Sequence, residues 1–332
     1  MSPLPDPFID VELPLADRRE GKVRVSYAIA DGTDGQRRRL FVTTDRVSAF
    51  DRVITGIPYK GQVLNLLAAW WFEQTAHLVD SQLLAVPDPN VTIARDAMPL
   101  PVEVVVRGAI TGVTATSLWR QYADGARTIY GYRFPDGLRK NTILPEPLVT
   151  PTTKPPAGTP ASVDAAHDEP LTCAEVVERG LVPPALWEQV TAAAVELFRL
   201  GQKAAADAGL ILADTKYEFG LIDDGTLLLI DEVHTPDSSR FWIAGSYAAR
   251  LAAGEEPESL DKEPFRIALA ATGFTGEGDP PALDAAVIAA TSARYIDAYE
   301  RLTGRPFARG PYPVAARIAG DLDRICATSA GG

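Results

Sequence analysis

The segment from Ile211 to Trp242, ILADTKYEFGLIDDGTLLLIDEVHTPDSSRFW, limits the fold more than any other stretch. Two strand-forming runs flank Asp224-Gly225, and they carry Asp214, Glu218, Asp231, Glu232 and Asp237. Asp-Gly between apolar runs is the strongest short-range hairpin signal, because glycine takes positive φ without steric cost. With Asp224 and Gly225 as a two-residue loop, Asp223 faces Thr226 and Glu218 faces Asp231. Side chains alternate across a strand, so Asp214, Lys216 and Glu218 share one face with Asp231, while Tyr217, Phe219 and Ile230 point to the other.

Two carboxylates directly opposite each other repel by a few kcal/mol near a surface, so a positive group is expected between them. A hard divalent cation answers that need, since Mg²⁺ is held by one or two carboxylates plus substrate phosphates. Lys216 on the same face answers it equally well as a salt bridge, and local chemistry leaves both readings open.

The rest of the chain narrows the class. A length of 332 residues allows a large core and two lobes. The net charge of −12 argues against a broad nucleic-acid or anionic-membrane surface, while leaving room for local basic patches around a small anion. Cys173 and Cys326 make no disulfide framework, no Cys/His spacing resembles a zinc site, and a reducing cytoplasm is the expected compartment. His77, His167 and His234 read as structural more readily than as ligands. No apolar run is long enough to span a membrane.

Strands are expected over KVRVSYAIA and RRLFVTTD, joined by a turn at Asp31 to Gly35, and a further strand pair within VTIARDAMPLPVEVVVRGAI. Helical spacing covers 61–78, CAEVVERGL through AAADAGL, and the stretches near 245–254 and 284–303. Leu144 to Pro170 is dense in proline and reads as a long loop, excluded from helix and from a central strand. The last dozen residues read as a loose tail. Strands and helices without a regular βαβ beat indicate an α+β fold, and no GxGxxG or GxxxxGK[ST] turn is present to hold a nucleotide.

Several segments then fall in line with one family. EGKVRVSYAI, TTDRVSAFDRVITGIPYKGQVLN, VEVVVRGAITG, LPEPLVTPTTK, HDEPLT, ILADTKYEFG, LIDEVHTPDSSRFW, SLDKEPFR and ARYIDAYERLTG resemble the phosphoribosylaminoimidazole-succinocarboxamide synthases (SAICAR synthetases) of purine biosynthesis, over roughly residues 15 to 308. The resemblance implies an ATP- and Mg²⁺-dependent ligase joining L-aspartate to the carboxylate of an aminoimidazole ribonucleotide. It also implies a two-lobed α+β fold similar to ATP-grasp enzymes and protein kinases. That fold would comprise an extended segment over 1–14, a β-rich lobe over 15–100 covering ATP, a larger catalytic lobe over 101–310 and a C-terminal tail over 311–332.

By the same resemblance, Lys22 lies in the cover over the ATP phosphates, and Glu218 and Asp231 hold magnesium on them. Arg107, Lys216, Arg240, Lys262 and Arg266 contact the ribonucleotide or its carboxylate, with Asp214 at a nearby polar position; Lys216, Asp214 and Arg240 are the expected catalytic set. Ser238 and Ser239 offer hydroxyl and N–H groups to an anion, and an ordinary capping turn accounts for them equally well. The chemistry suits these residue types. A carboxylate must be activated as an acyl phosphate before an amine attacks it, and phosphoryl transfer needs positioning and cations more than a protein nucleophile.

Two positions depart from the family's RG-aromatic-x-TGS pattern. Ala109 stands where the aromatic is usual, and Val113 where a serine of the ribonucleotide-binding set is usual. A valine makes no hydrogen bond there, a loss of about 1–3 kcal/mol when a polar partner is left unpaired. Three readings follow: the purine enzyme with Thr111, Thr114 or Thr116 taking over, a paralogue acting on another heterocyclic carboxylate, or a silent nucleotide-binding module.

Overall fold

The computed structural model describes residues 4–33, 35–50, 52–154 and 169–328. In chain order, β1 (Ala16–Glu20), β2 (Arg24–Ile29) and β3 (Arg38–Thr43) are followed by the small hairpin β4 (Arg46–Ala49) and β5 (Arg52–Gly56). Helix α1 (Lys60–Thr75), β6 (Leu83–Asp88) and β7 (Val91–Arg95) come next. These strands form an antiparallel five-stranded sheet in the order β1-β2-β3-β7-β6, with β4 and β5 paired separately.

The second half begins with β8 (Met98–Pro99) and β9 (Val102–Ile110), then α2 (Leu118–Ala123), the ribbon β10 (Thr128–Ile129) and β11 (Tyr132–Arg133), and β12 (Thr142–Thr153). Helices α3 (Cys173–Glu178) and α4 (Pro184–Asp207) precede β13 (Leu210–Leu221), β14 (Leu227–Ile230) and β15 (Ser239–Ile243). The chain continues through α5 (Ala244–Ala253), α6 (Glu263–Ala270), α7 (Ala285–Thr303), α8 (Val314–Gly320) and α9 (Leu322–Ala327). The second sheet runs β12-β9-β13-β14, and β15 and β8 also pair with β13. The α+β class and the helices expected from periodicity are all present.

Period-two patterning explains why this sheet has one wet and one dry face. In β9, Val102, Val104 and Val106 are fully buried, whereas Glu103, Val105 and Arg107 take the opposite side. Strand β13 carries Tyr217 and Phe219 into the same core, beside Trp71, Leu197 and Phe198. A register shift between Leu212 and Asp214 adds one residue to β13 against β15. Such a bulge re-aims side chains: Leu212 stays in the core, while Asp214, Lys216 and Glu218 turn to the polar face.

The structure corrects four expectations. The hairpin loop is Asp223-Asp224-Gly225 rather than Asp224-Gly225: the Ile222 N–H donates to the Thr226 carbonyl at 3.2 Å, the Gly225 N–H to the Ile222 carbonyl at 2.9 Å, and Gly225 has φ of 85°. That three-residue loop, a turn closed by a left-handed glycine, shifts the register by one. Glu218 therefore faces Ile230 and not Asp231, and Asp231 lies just past β14 with φ of 70°.

Strands β7 and β9 both exist but do not pair with each other; β7 joins the first sheet and β9 the second. The first part of the proline-rich stretch expected to be loop, from Leu144 to Thr153, belongs to β12, which pairs with β9 alone among the long strands and tolerates Pro145 and Pro147 within a register shift. Residues 155–168, including His167, lie outside the described residues. Finally, the C-terminal segment is helical and docked, with Val314, Ile318 and Ile325 buried against Phe8 of the N-terminal segment and Tyr27, Leu40 and Val42 of the first lobe. No described helix is long and apolar enough to cross a membrane.

Gly201 in α4 gives a test of this packing. A Cβ there would overlap the imidazole of His234, which is wedged against Trp71 and hydrogen-bonded to the Tyr217 hydroxyl. Glycine to alanine inside a helix ordinarily stabilises by about 0.5–1 kcal/mol. Gly201→Ala is expected to have the opposite sign, losing about 1–3 kcal/mol by overpacking, as measured by denaturant unfolding.

Candidate active site

Three adjacent strands place three charges on one rung. Asp214 of β13 is paired with Arg107 of β9 on one side and Arg240 of β15 on the other. The Arg240 Nη1 donates to Asp214 Oδ2 at 2.6 Å, and Arg107 Nη1 stands 3.8 Å from the same oxygen. Arg107 is fixed further by Nε donating to Thr150 Oγ1 at 2.8 Å and Nη2 donating to the Thr116 carbonyl at 3.1 Å. The Asp214 carboxylate holds Arg240 firmly protonated, raising its pKa, while burial works against the Arg107 charge. Two guanidiniums against one carboxylate leave net positive charge on the rung.

Further along β13, Glu218 is held between two lysines. Lys216 Nζ lies 2.7 Å from Glu218 Oε1 and 2.8 Å from Glu103 Oε1, and Lys154 contacts the other Glu218 oxygen. Burial opposes ionisation of Glu218, but Lys216 and Lys154 outweigh it and keep the carboxyl down at about 2. Asp231 is instead gripped by Arg24 of β2, whose second Nη lies 3.7 Å from Glu232 Oε2. The two acids expected to oppose each other are thus separately neutralised. For Glu218, the salt-bridge reading of Lys216 is the observed one.

Among the described residues no group of three or more His, Cys, Asp or Glu side chains could by itself hold a metal ion. The hard oxygen donors at hand are Glu218, Asp231 and Glu232, with exposures of 10%, 28% and 13%. One or two of these carboxylates would suffice for a magnesium ion which takes most of its ligands from phosphates and water. Lys22 sits exposed in the turn between β1 and β2 and lines neither of the clefts described next.

A cleft of about 220 Å³ lies beside the rung, and Asp214, Ser239, Arg240, Lys262 and Arg266 all line it. The turn that forms its floor is tied by the Ser239 N–H donating to the Thr235 carbonyl at 2.9 Å, and the Ser239 hydroxyl is 2.7 Å from Thr215 Oγ1. Asp237, Asp261 and Glu263 also reach this cleft. A second, more apolar cleft of about 360 Å³ shares Arg240 and Arg266 with it and is walled by Phe50, Val113, Trp242 and Ile267. Val113 is 55% exposed there, whereas Ala109 is buried with Ala213 against Trp242.

Of the residues singled out from the sequence, Asp214, Ser239, Arg240, Lys262 and Arg266 meet at one cleft, with Arg107 touching it through Asp214. Lys216 and Glu218 form a neighbouring cluster on the same strand face. Sequence reasoning missed Arg24, Glu103, Lys154 and Asp261. Only a charged residue within a quoted motif, as with Arg24 in GKVRVSY and Lys154 in TPTTK, hinted at two of them.

The family model for SAICAR synthetase matches residues 17–281. The phosphoribosylaminoimidazole-succinocarboxamide synthase of Legionella pneumophila (strain Paris) is 43% identical over 329 residues, covering 97% of this chain and 99% of that protein. The chloroplastic synthase of Vigna aconitifolia is 49% identical over 253 residues, covering 76% of this chain and 70% of that protein. Among solved structures, the Saccharomyces cerevisiae SAICAR synthase complexed with SAICAR superposes with a TM-score of 0.75 at 31% identity, covering 91% of this chain and all of that one. A type-2 SAICAR synthetase in complex with ADP shares the fold, with a TM-score of 0.65 at 24% identity and 88% of this chain covered. With the family match, the near full-length relatives and the shared fold in agreement, this chain belongs to the SAICAR synthetase family.

Proposed function

We propose that the protein is an ATP-dependent carboxylate–amine ligase that joins L-aspartate to the carboxylate of 5-amino-1-(5-phospho-D-ribosyl)imidazole-4-carboxylate, giving SAICAR, ADP and phosphate in purine biosynthesis. The observation that carries this reading is the convergence of Arg240, Lys262 and Arg266 on one cleft, beside a strand whose Glu218 is fixed by lysines and whose Asp214 is fixed by arginine. Two anionic reactants and a triphosphate require such cations, and guanidinium forks orient carboxylate and phosphate oxygens in a way an ammonium does not.

In this reading the acceptor carboxylate attacks the γ-phosphorus of ATP and ADP leaves. The aspartate amine then attacks the acyl carbon, phosphate leaves with the bonding pair, and the amine loses a proton. Arg240, oriented by Asp214, holds the acceptor against the phosphate being transferred, and Arg107 sustains the positive potential behind it. Glu218 and Asp231 would hold magnesium, which supplies charge neutralisation at the phosphates. Lys22, exposed in the turn between β1 and β2, would supply a further cation to the phosphates. Arg24 orients Asp231, and Lys154 with Lys216 keeps Glu218 ionised.

The full-length similarity to enzymes named for this purine reaction favours the aminoimidazole acceptor over the paralogue and silent-module readings, despite Val113 and Ala109. The decisive experiment is a carboxylate panel with paired ADP and mass-spectrometric detection. ADP release that requires both aspartate and the aminoimidazole carboxylate, with the succinocarboxamide mass, is expected. Aspartate-dependent turnover with another carboxylate alone would sink this assignment.

Three variants probe the roles. Glu218→Gln and Asp231→Asn are expected to lower turnover at limiting Mg²⁺ by at least the ~10–100-fold that loss of an outer-shell partner costs, with smaller losses at saturating Mg²⁺. Arg240→Lys keeps the charge but loses the fork, and acceptor kcat/KM is expected to fall about 10–100-fold in steady-state assays.

Asp261 gives a pH signature. Burial pushes its carboxyl up to about 7, against hydrogen bonds from the Glu263 N–H and the pull of Arg240. Because the folded value lies above the ordinary 3.8, its contribution to stability is complete below that value and is lost as pH rises through about 7. The same ionisation adds a negative charge to the cleft. Acceptor KM is expected to rise from about pH 6 to 8 in the wild type, and this dependence should flatten in Asp261→Asn.

A further inference from the structure

Beneath the cleft lies a buried ion cluster whose innermost member, Lys60, the functional reading does not use. Lys60 opens α1 and its side chain is completely buried, with the ammonium 2.9 Å from Asp237 Oδ2. Tyr295 of α7 donates its hydroxyl to Asp237 Oδ1 at 2.5 Å, and the Lys60 ammonium lies 5.8 Å from the centre of the Tyr295 ring. Lys262 Nζ is 3.9 Å from that same Oδ1, yet its side chain is 21% exposed and lines the cleft. Asp237 itself is 5% exposed. Burial works against its charge, but Lys262, Lys60 and the Tyr295 hydroxyl outweigh that and hold the carboxyl at about 2.

The backbone around Lys60 is anchored on several sides. The Tyr59 N–H donates to the Tyr312 hydroxyl at 2.8 Å, and the Gly61 N–H to Asp45 Oδ1 at 2.9 Å. Ser292 Oγ of α7 donates to the Pro58 carbonyl at 2.7 Å. The ammonium is thus delivered to Asp237 from a rigid base rather than from a mobile surface chain.

Two lysines compete for one buried carboxylate, and their placement decides which of them remains available to a substrate. We propose that Lys60 is a positioning residue: by occupying Asp237 together with Tyr295, it leaves the Lys262 ammonium turned toward the cleft and its anionic ligand. This inference rests on the reading of that cleft as the acceptor site. A buried, uncompensated Asp237 would draw the nearest cation inward, and Lys262 is already within ion-pair distance. Lys60 acts through Lys262, and Lys262 is the group that meets the ligand.

A double-mutant cycle tests the relay, with KM for the aminoimidazole carboxylate, KM for ATP, kcat and Tm measured on each variant. Lys262→Met should raise acceptor KM about tenfold or more and leave ATP KM unchanged. Lys60→Met should raise acceptor KM in the same direction, by about tenfold, with ATP KM again unchanged. Adding Asp237→Asn removes the competing carboxylate, so Lys60→Met/Asp237→Asn should recover acceptor KM to within about threefold of the wild type.

An unchanged acceptor KM in Lys60→Met, or a double variant no better than the single one, overturns the proposal. Should Lys60→Met fail to fold, Tyr295→Phe takes its place: it opens Oδ1 to Lys262 and should raise acceptor KM about threefold or more without moving ATP KM. A fall in Tm with unchanged acceptor KM in Tyr295→Phe marks a merely structural cluster and also overturns the proposal. If Lys262→Met itself leaves acceptor KM unmoved, the acceptor-site reading fails. If only Lys262→Met raises it, the relay alone fails.

Discussion

Asp214 between Arg107 and Arg240 is the interaction on which the rest of the site depends. It exists because β13 is central to its sheet, with β9 on one edge and β15 on the other, so one residue meets two cross-strand partners. Like guanidiniums placed this close would repel, and the shared carboxylate reverses that interaction. Replacing the rung by apolar residues would pack well enough, yet it would remove the positive potential that an anionic acceptor needs. In the proposed reading, these charges serve the binding of the acceptor more than the stability of the sheet.

The same strand shows how a dry core and a wet site coexist within one sheet. Tyr217 and Phe219 contribute to the large cluster with Trp71 and Phe198, while Lys216 and Glu218 face the other way. The bulge at Ala213 keeps Leu212 in the core and still turns Asp214 to the polar face. Behind that face, His234 is packed against Trp71 and Tyr217, and burial lowers its pKa to about 3, so it stays neutral. It therefore anchors the turn that carries Asp237, Ser239 and Arg240 without adding a titrating charge.

Much of this was legible beforehand. Period-two runs marked β2, β3, β9 and β13, and helical spacing marked α1, α4, α5 and α7. The motif segments identified the family and most of the residues lining the cleft. The misjudged parts share a cause: each depended on a partner distant in sequence. The proline-rich run up to Thr153 is a strand because β9 offers it an edge, and 314–327 is helical and buried because the first lobe and the N-terminal segment supply a surface for Val314, Ile318 and Ile325. An isolated proline-rich or short alanine-rich segment carries neither signal.

By itself, the amino-acid sequence determined the α+β class, the hairpin's location and the family. These depend on local periodicity and on residue types that the chemistry demands in one chain order. Only the tertiary structure decided which charge meets which. A turn longer by one residue moved Glu218 away from Asp231, and long-range contacts brought in Arg24, Lys154 and Lys60 as the neutralising partners. The reason is physical: strand register and side-chain pairing turn on shifts of a single residue and on groups far apart in the chain, and local propensity does not encode either.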